Sequence, residues 1–234
     1  MITARKSAWF ERVFSVYNRN LIARRFEGLR VAGLDHLREW SRGDAPLVLY
    51  ANHSSWWDGL IVFQIGYACR LEQYAMMEER QLREYPLFRR LGAFSVVRER
   101  PLQAARSIVY AGDLLRDRGR ALWIFPQGTT QPNDARPLKL YSGAANIIAR
   151  LPKAYAAPVA MRYEFLRDFR PEAVARIGRP ELFTAVTRAE VKNLTATFTA
   201  NLASTLDQLR DDTLSANFAD YEEIVAPPRR QRKD

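Results

Sequence analysis

Two histidines occur in this chain of 234 residues. One of them stands in a run of small polar and aromatic residues, Asn52-His53-Ser54-Ser55-Trp56-Trp57-Asp58-Gly59. Histidine is the side chain whose ordinary pKa lets it take up a proton near neutral pH. A carboxylate on its second ring nitrogen fixes the tautomer and stabilises the imidazolium. His53 and Asp58 supply those two roles, general base and orienting partner. Residues five apart on an ideal helix point about 140° from each other. The pair therefore forms only if His53 lies in the turn before a helix and Asp58 in that helix's first turn. Asn52, Ser54 and Ser55 suit such a helix start, and a helix-capping cluster would draw on the same residue types. Other signals must decide between the two readings.

Two such signals lie further along. Ala121-Leu122-Trp123-Ile124-Phe125-Pro126-Gln127-Gly128-Thr129-Thr130 is an apolar run broken by a Pro and a Gly, residues that end a strand ladder and free backbone N–H groups. Leu91 to Arg98 reads as a short strand that delivers one arginine at its end. The single cysteine, Cys69, sits in an apolar stretch where a buried, inert thiol is expected rather than a nucleophile, and one cysteine excludes an internal disulfide.

The elements that must position these groups follow from periodicity. Trp9, Phe10, Val13, Phe14, Tyr17, Leu21 and Ile22 recur at helical spacing between Trp9 and Phe26, interleaved with Arg12, Arg19, Arg24 and Arg25. They predict an amphipathic N-terminal helix that packs on the core, lies in a membrane interface, or does both. After a turn at Gly33, strand-like runs at Leu47 to Ala51, Gln73 to Met77, Ala93 to Val97, Ala121 to Phe125, Ala156 to Tyr163 and Ala173 to Ile177 alternate with helical patterns. These patterns are at Gly59 to Ala68, Glu78 to Leu91, Leu102 to Arg118 and Ser142 to Leu151, with a last one from about Arg188 to Arg210. Alternation of this kind predicts a single α/β domain with a mostly parallel or mixed sheet flanked by helices. Reactive groups in such sheets collect just beyond the carboxyl ends of the strands. The expected organisation is an N-terminal helix over residues 1–30, the α/β domain over 31–212, and an extension over 213–234. The last ends in a basic run, Arg229 to Lys233, that reads as a disordered tail.

Composition narrows the class. With 47% hydrophobic and 26% charged residues the chain is globular. Thirty-six Lys and Arg against 26 Asp and Glu give a net charge of +10 and call for an anionic partner. No apolar stretch reaches the roughly 18 residues needed to span a bilayer, and the first residues lack the pattern of a secretory signal. A cytoplasmic protein, peripheral on a membrane face, is therefore expected. No zinc-ligand set or RNA-recognition signature accompanies the charge, so nucleic acid is not the expected partner.

The order of these signals resembles the glycerolipid acyltransferase family, whose best-known members are lysophosphatidate acyltransferases. Asn52, His53 and Asp58 match its first motif, Gly92 to Arg98 its second, Phe125 to Thr130 its third and Ala157-Pro158-Val159-Ala160 its fourth. The likeness runs from about Val31 to Pro180, and its lead-in, Val31 to Leu37, makes His36 structural. The resemblance implies that His53 deprotonates a lipid hydroxyl, which attacks an acyl thioester of acyl-coenzyme A or acyl-carrier protein, while Asp58 orients His53. It implies no covalent enzyme intermediate, no cofactor beyond that co-substrate and no metal. Backbone donors near the Gly128 turn are candidates for the oxyanion. Asn52, Arg98, Gln127, Gly128, Thr129, Thr130 and Lys139 are the candidate substrate-binding residues. Trp56 and Trp57 face the acyl chain or the membrane, or pack in the core. The implied partners are an anionic membrane surface, the thioester carrier and a lipid acceptor. Two departures stand out: Gln127 where the family usually has Glu, and Thr130 where it usually has Arg. They remove both charges of the third motif and point to a neutral or glycosylated acceptor rather than a phosphate-bearing one. Lysophosphatidate acylation is the alternative, and a basic binding protein without catalysis is a second.

Overall fold

The computed structural model describes residues 1–41, 44–117, 119–166 and 168–227; the basic run Arg229 to Lys233 lies outside them. Nine strands among these residues form one mixed sheet in the order β4-β3-β5-β2-β6-β7-β1-β9, with β8 pairing on β6. The strands are β1 (Leu29–Ala32), β2 (Leu47–Ala51), β3 (Glu72–Glu78), β4 (Ala93–Val96), β5 (Arg120–Ile124), β6 (Lys153–Glu164), β7 (Glu172–Ile177), β8 (Glu181–Thr184) and β9 (Tyr221–Val225). From β4 to β6 the pairing is parallel, and β7 then runs antiparallel to β6. Both faces of the central strands are covered, so β2 is apolar throughout rather than alternating.

Helices α1 (Ala8–Arg25), α2 (Leu34–Trp40) and α3 (Asp58–Ala68) close one face, where Ile22, Leu37, Ile61 and Ile65 meet Leu47, Leu49 and Trp123. Helices α5 (Pro101–Leu114), α6 (Gly143–Ile148) and α7 (Val191–Leu214) close the other, where Leu115, Ile147, Phe198 and Leu206 meet Val48, Tyr50 and Leu122. The single α/β domain expected from periodicity is thus a helix–sheet–helix sandwich.

Several expectations need correction. The helical pattern from Glu78 to Leu91 is not one helix: α4 (Glu79–Glu84) stops, and a 3-10 turn takes over at Pro86–Leu91. Pro86 lacks an N–H and drives Tyr85 out of helical space, to φ −119°, ψ 67°. The strand Ala156 to Tyr163 begins earlier, at Lys153, and β1, α2, β8 and β9 were not anticipated. Beyond residue 212 the chain still contributes to the sheet, because β9 pairs antiparallel with β1 and Arg176 and Tyr221 both bond to Asp212. At the turn into α2, Gly33 has φ +78°, and a side chain there would run into the Ile177 carbonyl. His36 places Nδ1 3.2 Å from the same carbonyl and ties α2 to β7.

Helix α1 has two faces. Ser7 caps its start by accepting from the Phe10 N–H. Inward, Phe14 packs edge-on against Phe63 of α3 and Asn18 donates to the Leu60 carbonyl. Outward, Trp9, Val13, Val16 and Tyr17 are 69%, 50%, 62% and 59% exposed.

Candidate active site

The site is assembled where β2 runs out. Its last residue, Ala51, is followed by Asn52, whose side chain extends the ladder: Oδ1 accepts from the Met161 N–H at 2.7 Å, and Nδ2 donates to the Met161 carbonyl at 3.0 Å and to Asn133 Oδ1 at 2.8 Å. Asn52 is buried and its amide is consumed in stitching the strand end to β6. It holds the loop, and it is not among the residues that line the cavity beside His53.

His53 lies in the loop and Asp58 is the first residue of α3, as the five-residue spacing demanded. His53 Nδ1 is 2.7 Å from Asp58 Oδ2, and the same oxygen accepts from the Ser54 and Ser55 N–H groups at 2.7 and 2.9 Å. The carboxylate has no proton to give, so Nδ1 must be the donor and Nε2 carries the lone pair. Asp58 is 0% exposed and its other oxygen, Oδ1, accepts from the Tyr163 hydroxyl at 2.6 Å. Burial, and then the Asp58 charge, push the Tyr163 pKa well above its ordinary value, so the hydroxyl keeps its proton.

The loop after β5 grips His53 by its backbone. The His53 N–H donates to Gln127 Oε1 at 2.7 Å, the Gln131 N–H donates to the His53 carbonyl at 2.8 Å, and Gln127 Nε2 donates to Gln131 Oε1. Gln127 is 4% exposed and stands behind the histidine. The His53 ring rests on Phe125, centroid to centroid 4.9 Å.

Gly128 adopts φ +73°, and a side chain there would strike the Arg98 guanidinium and the Tyr141 ring. Its absence lets Arg98 lie across the turn, 5.9 Å from the Tyr141 ring centroid. The Gly128 N–H closes the turn on the Phe125 carbonyl at 3.0 Å, so that donor is engaged and unavailable to an oxyanion.

A cavity of about 740 Å³ opens beside His53. Arg98, Gly128, Thr129 and Thr130 line it with His53, and its walls are chiefly apolar: Phe14, Leu60, Phe63, Met76, Phe88 and Ile108. Asn52, Asp58, Gln127 and Lys139 are not part of its lining. Lys139 is exposed on a loop. Trp56 stands exposed at the cavity's lining, whereas Trp57 packs edge-on against Phe26. Cys69 is buried, and burial pushes its thiol up to about 11. Tyr163 is 105 residues from Asp58, and no spacing rule links the two. Gln131, four residues after Gln127, likewise lies outside the motif residues.

Comparison with known proteins adds four likenesses. A family model described as Acyltransferase matches residues 28–162. Over 120 residues, 50% of this chain and 41% of the relative, the sequence is 31% identical to a protein of Streptococcus pneumoniae named 1-acyl-sn-glycerol-3-phosphate acyltransferase. Over 186 residues, 75% of this chain and 63% of the relative, it is 28% identical to a Brucella abortus protein named lyso-ornithine lipid O-acyltransferase. The chain thus spans less than two thirds of either relative's length. The fold is similar to the crystal structure of the 1-acyl-sn-glycerophosphate (LPA) acyltransferase of Thermotoga maritima, with a TM-score of 0.62 at 16% identity, covering 86% of this chain and 80% of that one.

Proposed function

The chain belongs to the acyltransferase family, and from that premise we propose that it moves a fatty acyl group from an acyl thioester to a hydroxyl of a lyso-lipid. The observation that carries the reading is the His53–Asp58 pair at 2.7 Å, with the lone-pair nitrogen of a histidine that lines an apolar cavity. Nε2 takes the acceptor's hydroxyl proton as its oxygen bonds to the thioester carbonyl carbon, and Asp58 stabilises the imidazolium. The tetrahedral intermediate collapses, the C–S bond breaks, and the imidazolium returns the proton to the leaving thiolate. The cavity volume lies within the range typical of ligand sites, about 300–1,000 Å³, and its apolar walls suit an acyl chain. The donor is acyl-coenzyme A or acyl-carrier protein. His53→Ala is expected to fold and to lose about 10²- to 10⁴-fold in turnover; near-wild-type turnover sinks the assignment.

We read the acceptor as phosphate-free: a neutral or glycosylated lipid, or a lyso-ornithine lipid such as the Brucella relative is named for. Thr130 brings no charge to the cavity wall, and Lys139 is not part of the lining. The competing reading, lysophosphatidate, is supported by the name of the Streptococcus relative and by Arg98 on the cavity wall. One acyl donor offered with lysophosphatidate, a lyso-ornithine lipid and a glycolipid panel decides it. A specificity constant for lysophosphatidate above all the others refutes the phosphate-free reading.

In the same proposal residues 31–212 carry the chemistry, and the outward face of α1 seats the chain on the cytoplasmic face of an anionic membrane. Exposed aromatic and valine side chains between Arg12 and Arg19 support that seat, and among the described residues no helix is long and apolar enough to cross a bilayer.

A further inference from the structure

Asp58 has an unusual set of partners for a carboxylate with no solvent exposure. Among the described residues neither Lys nor Arg pairs with it; its charge is balanced by hydrogen-bond donors and by the His53 ring. Three of those donors crowd onto Oδ2. Oδ1 is left to a single donor, the Tyr163 hydroxyl at 2.6 Å, which is within the short range of O–H···O⁻ bonds. A buried carboxylate oxygen without a donor is costly, so this bond is the part of the shell with no substitute.

The placement of Tyr163 is set by the sheet. It lies near the end of β6 opposite Ala173 of β7, with its ring tilted on Phe26 at 5.5 Å. Two residues earlier on the same strand, Met161 is bonded at both its N–H and its carbonyl to Asn52, the neighbour of His53. The end of β6 is therefore stitched to the catalytic loop at two points, one before His53 and one at Asp58. A phenylalanine at position 163 would satisfy the ring packing equally well. The hydroxyl is what the packing does not need.

We propose that Tyr163 is a positioning residue for the acyl transfer: by donating to Oδ1 it fixes the rotation of the Asp58 carboxylate that presents Oδ2 to His53 Nδ1. This rests on the reading of His53 as the general base. The other elements packed around the pair bring uncharged groups, Gln127 and Phe125 from the β5 loop and Phe26 from the end of α1, and the charged residues that line the cavity with His53 are Glu78, Arg80, Glu84 and Arg98.

The test compares the purified full chain with Tyr163→Phe, Asp58→Asn, the double variant and His53→Ala, using one acyl thioester and an accepted lyso-lipid. Tyr163→Phe should melt as cooperatively as the wild type and lose about 10- to 100-fold in kcat with KM unchanged, the scale of a slightly misplaced catalytic group. Without the hydroxyl dipole the carboxylate holds the imidazolium more strongly, so the acid limb of the kcat–pH profile should move to higher pH. The double variant should be no slower than Asp58→Asn, because the tyrosine acts only through that carboxylate. Wild-type kcat with an unmoved profile in Tyr163→Phe overturns the proposal, and so does a loss that multiplies with that of Asp58→Asn. Retained turnover in His53→Ala would instead overturn the assignment of the base. An inactive His53→Ala beside a fully active Tyr163→Phe removes Tyr163 alone.

Discussion

Replacing Gln127 by Met removes the acceptor beneath the catalytic loop while keeping most of the side chain's length. Two bonds are lost, His53 N–H to Oε1 at 2.7 Å and Nε2 to Gln131 Oε1 at 3.2 Å. The first leaves a backbone N–H without a partner at a position where the glutamine is almost wholly enclosed, which costs about 1–3 kcal/mol. For a chain of this size 2 kcal/mol corresponds to a fall in Tm of roughly 4–8 °C. Because the freed N–H belongs to His53 itself, the ring is expected to shift, and a misplacement of about 1 Å costs about 10²-fold in kcat.

Gln127→Glu separates hydrogen bonding from charge. The acceptor on the His53 N–H survives, but the new carboxyl is enclosed and lies against the loop whose His53 is paired with the Asp58 carboxylate. Both burial and the like charge raise its folded-state pKa above the unfolded value of about 4.3. A raised pKa means the variant matches the wild type below that unfolded value and loses relative stability as pH climbs through the folded pKa. Melts of wild type and both variants at pH 5 and pH 8, with kcat at each, are the assay. Gln127→Met with wild-type kcat and Tm, or Gln127→Glu with the same stability deficit at both pH values, would refute the reasoning.

Gly66→Ala should destabilise by about 1–3 kcal/mol: the new methyl would overlap the Gln73 carboxamide, which is pinned by Trp123 Nε1 and the Phe63 carbonyl, and chemical denaturation reads the loss directly. Gly128→Ala should cost about 1–2 kcal/mol from its positive φ and reduce turnover further by displacing Arg98, so a variant that is less stable but fully active would contradict the role given to that turn. Trp9→Ser with Val16→Ser should weaken sedimentation with anionic vesicles and leave the melting temperature unchanged; loss of fold stability instead would make the outward face of α1 part of the core. Cys69, with its thiol pushed up to about 11, should react with a thiol-specific chromophore only on unfolding, and prompt stoichiometric labelling of the native chain at pH 8 would contradict its burial.

The central strands and helices were legible because burial on both faces leaves long apolar runs, as in β2 and β5, and because α3 follows its loop without interruption. β1, β8 and β9 carry charged residues that leave no unbroken apolar run in these short segments, and each exists through its partner strand. The break at Pro86 was written in the residue itself. The apolar spacing on either side of it outweighed a rule that takes precedence, since no spacing supplies the missing N–H.

The site divides along a different line. His53 and Asp58 are five residues apart and one local turn brings them together, so their pairing could be argued from helix geometry. Tyr163 reaches the same carboxylate across the sheet, and only the register of β6 against β7 and its side-chain ladder to Asn52 put it there. The motif residues themselves fall into two groups that sequence treats alike. Arg98, Gly128, Thr129 and Thr130 line the cavity with His53, while Asn52, Asp58 and Gln127 stand behind it as struts. Residue type does not separate them, because an amide binds a backbone strand as readily as it binds a lipid headgroup. In this chain Gln127 therefore bears first on how His53 is held. Thr130, by contrast, lies on the cavity wall.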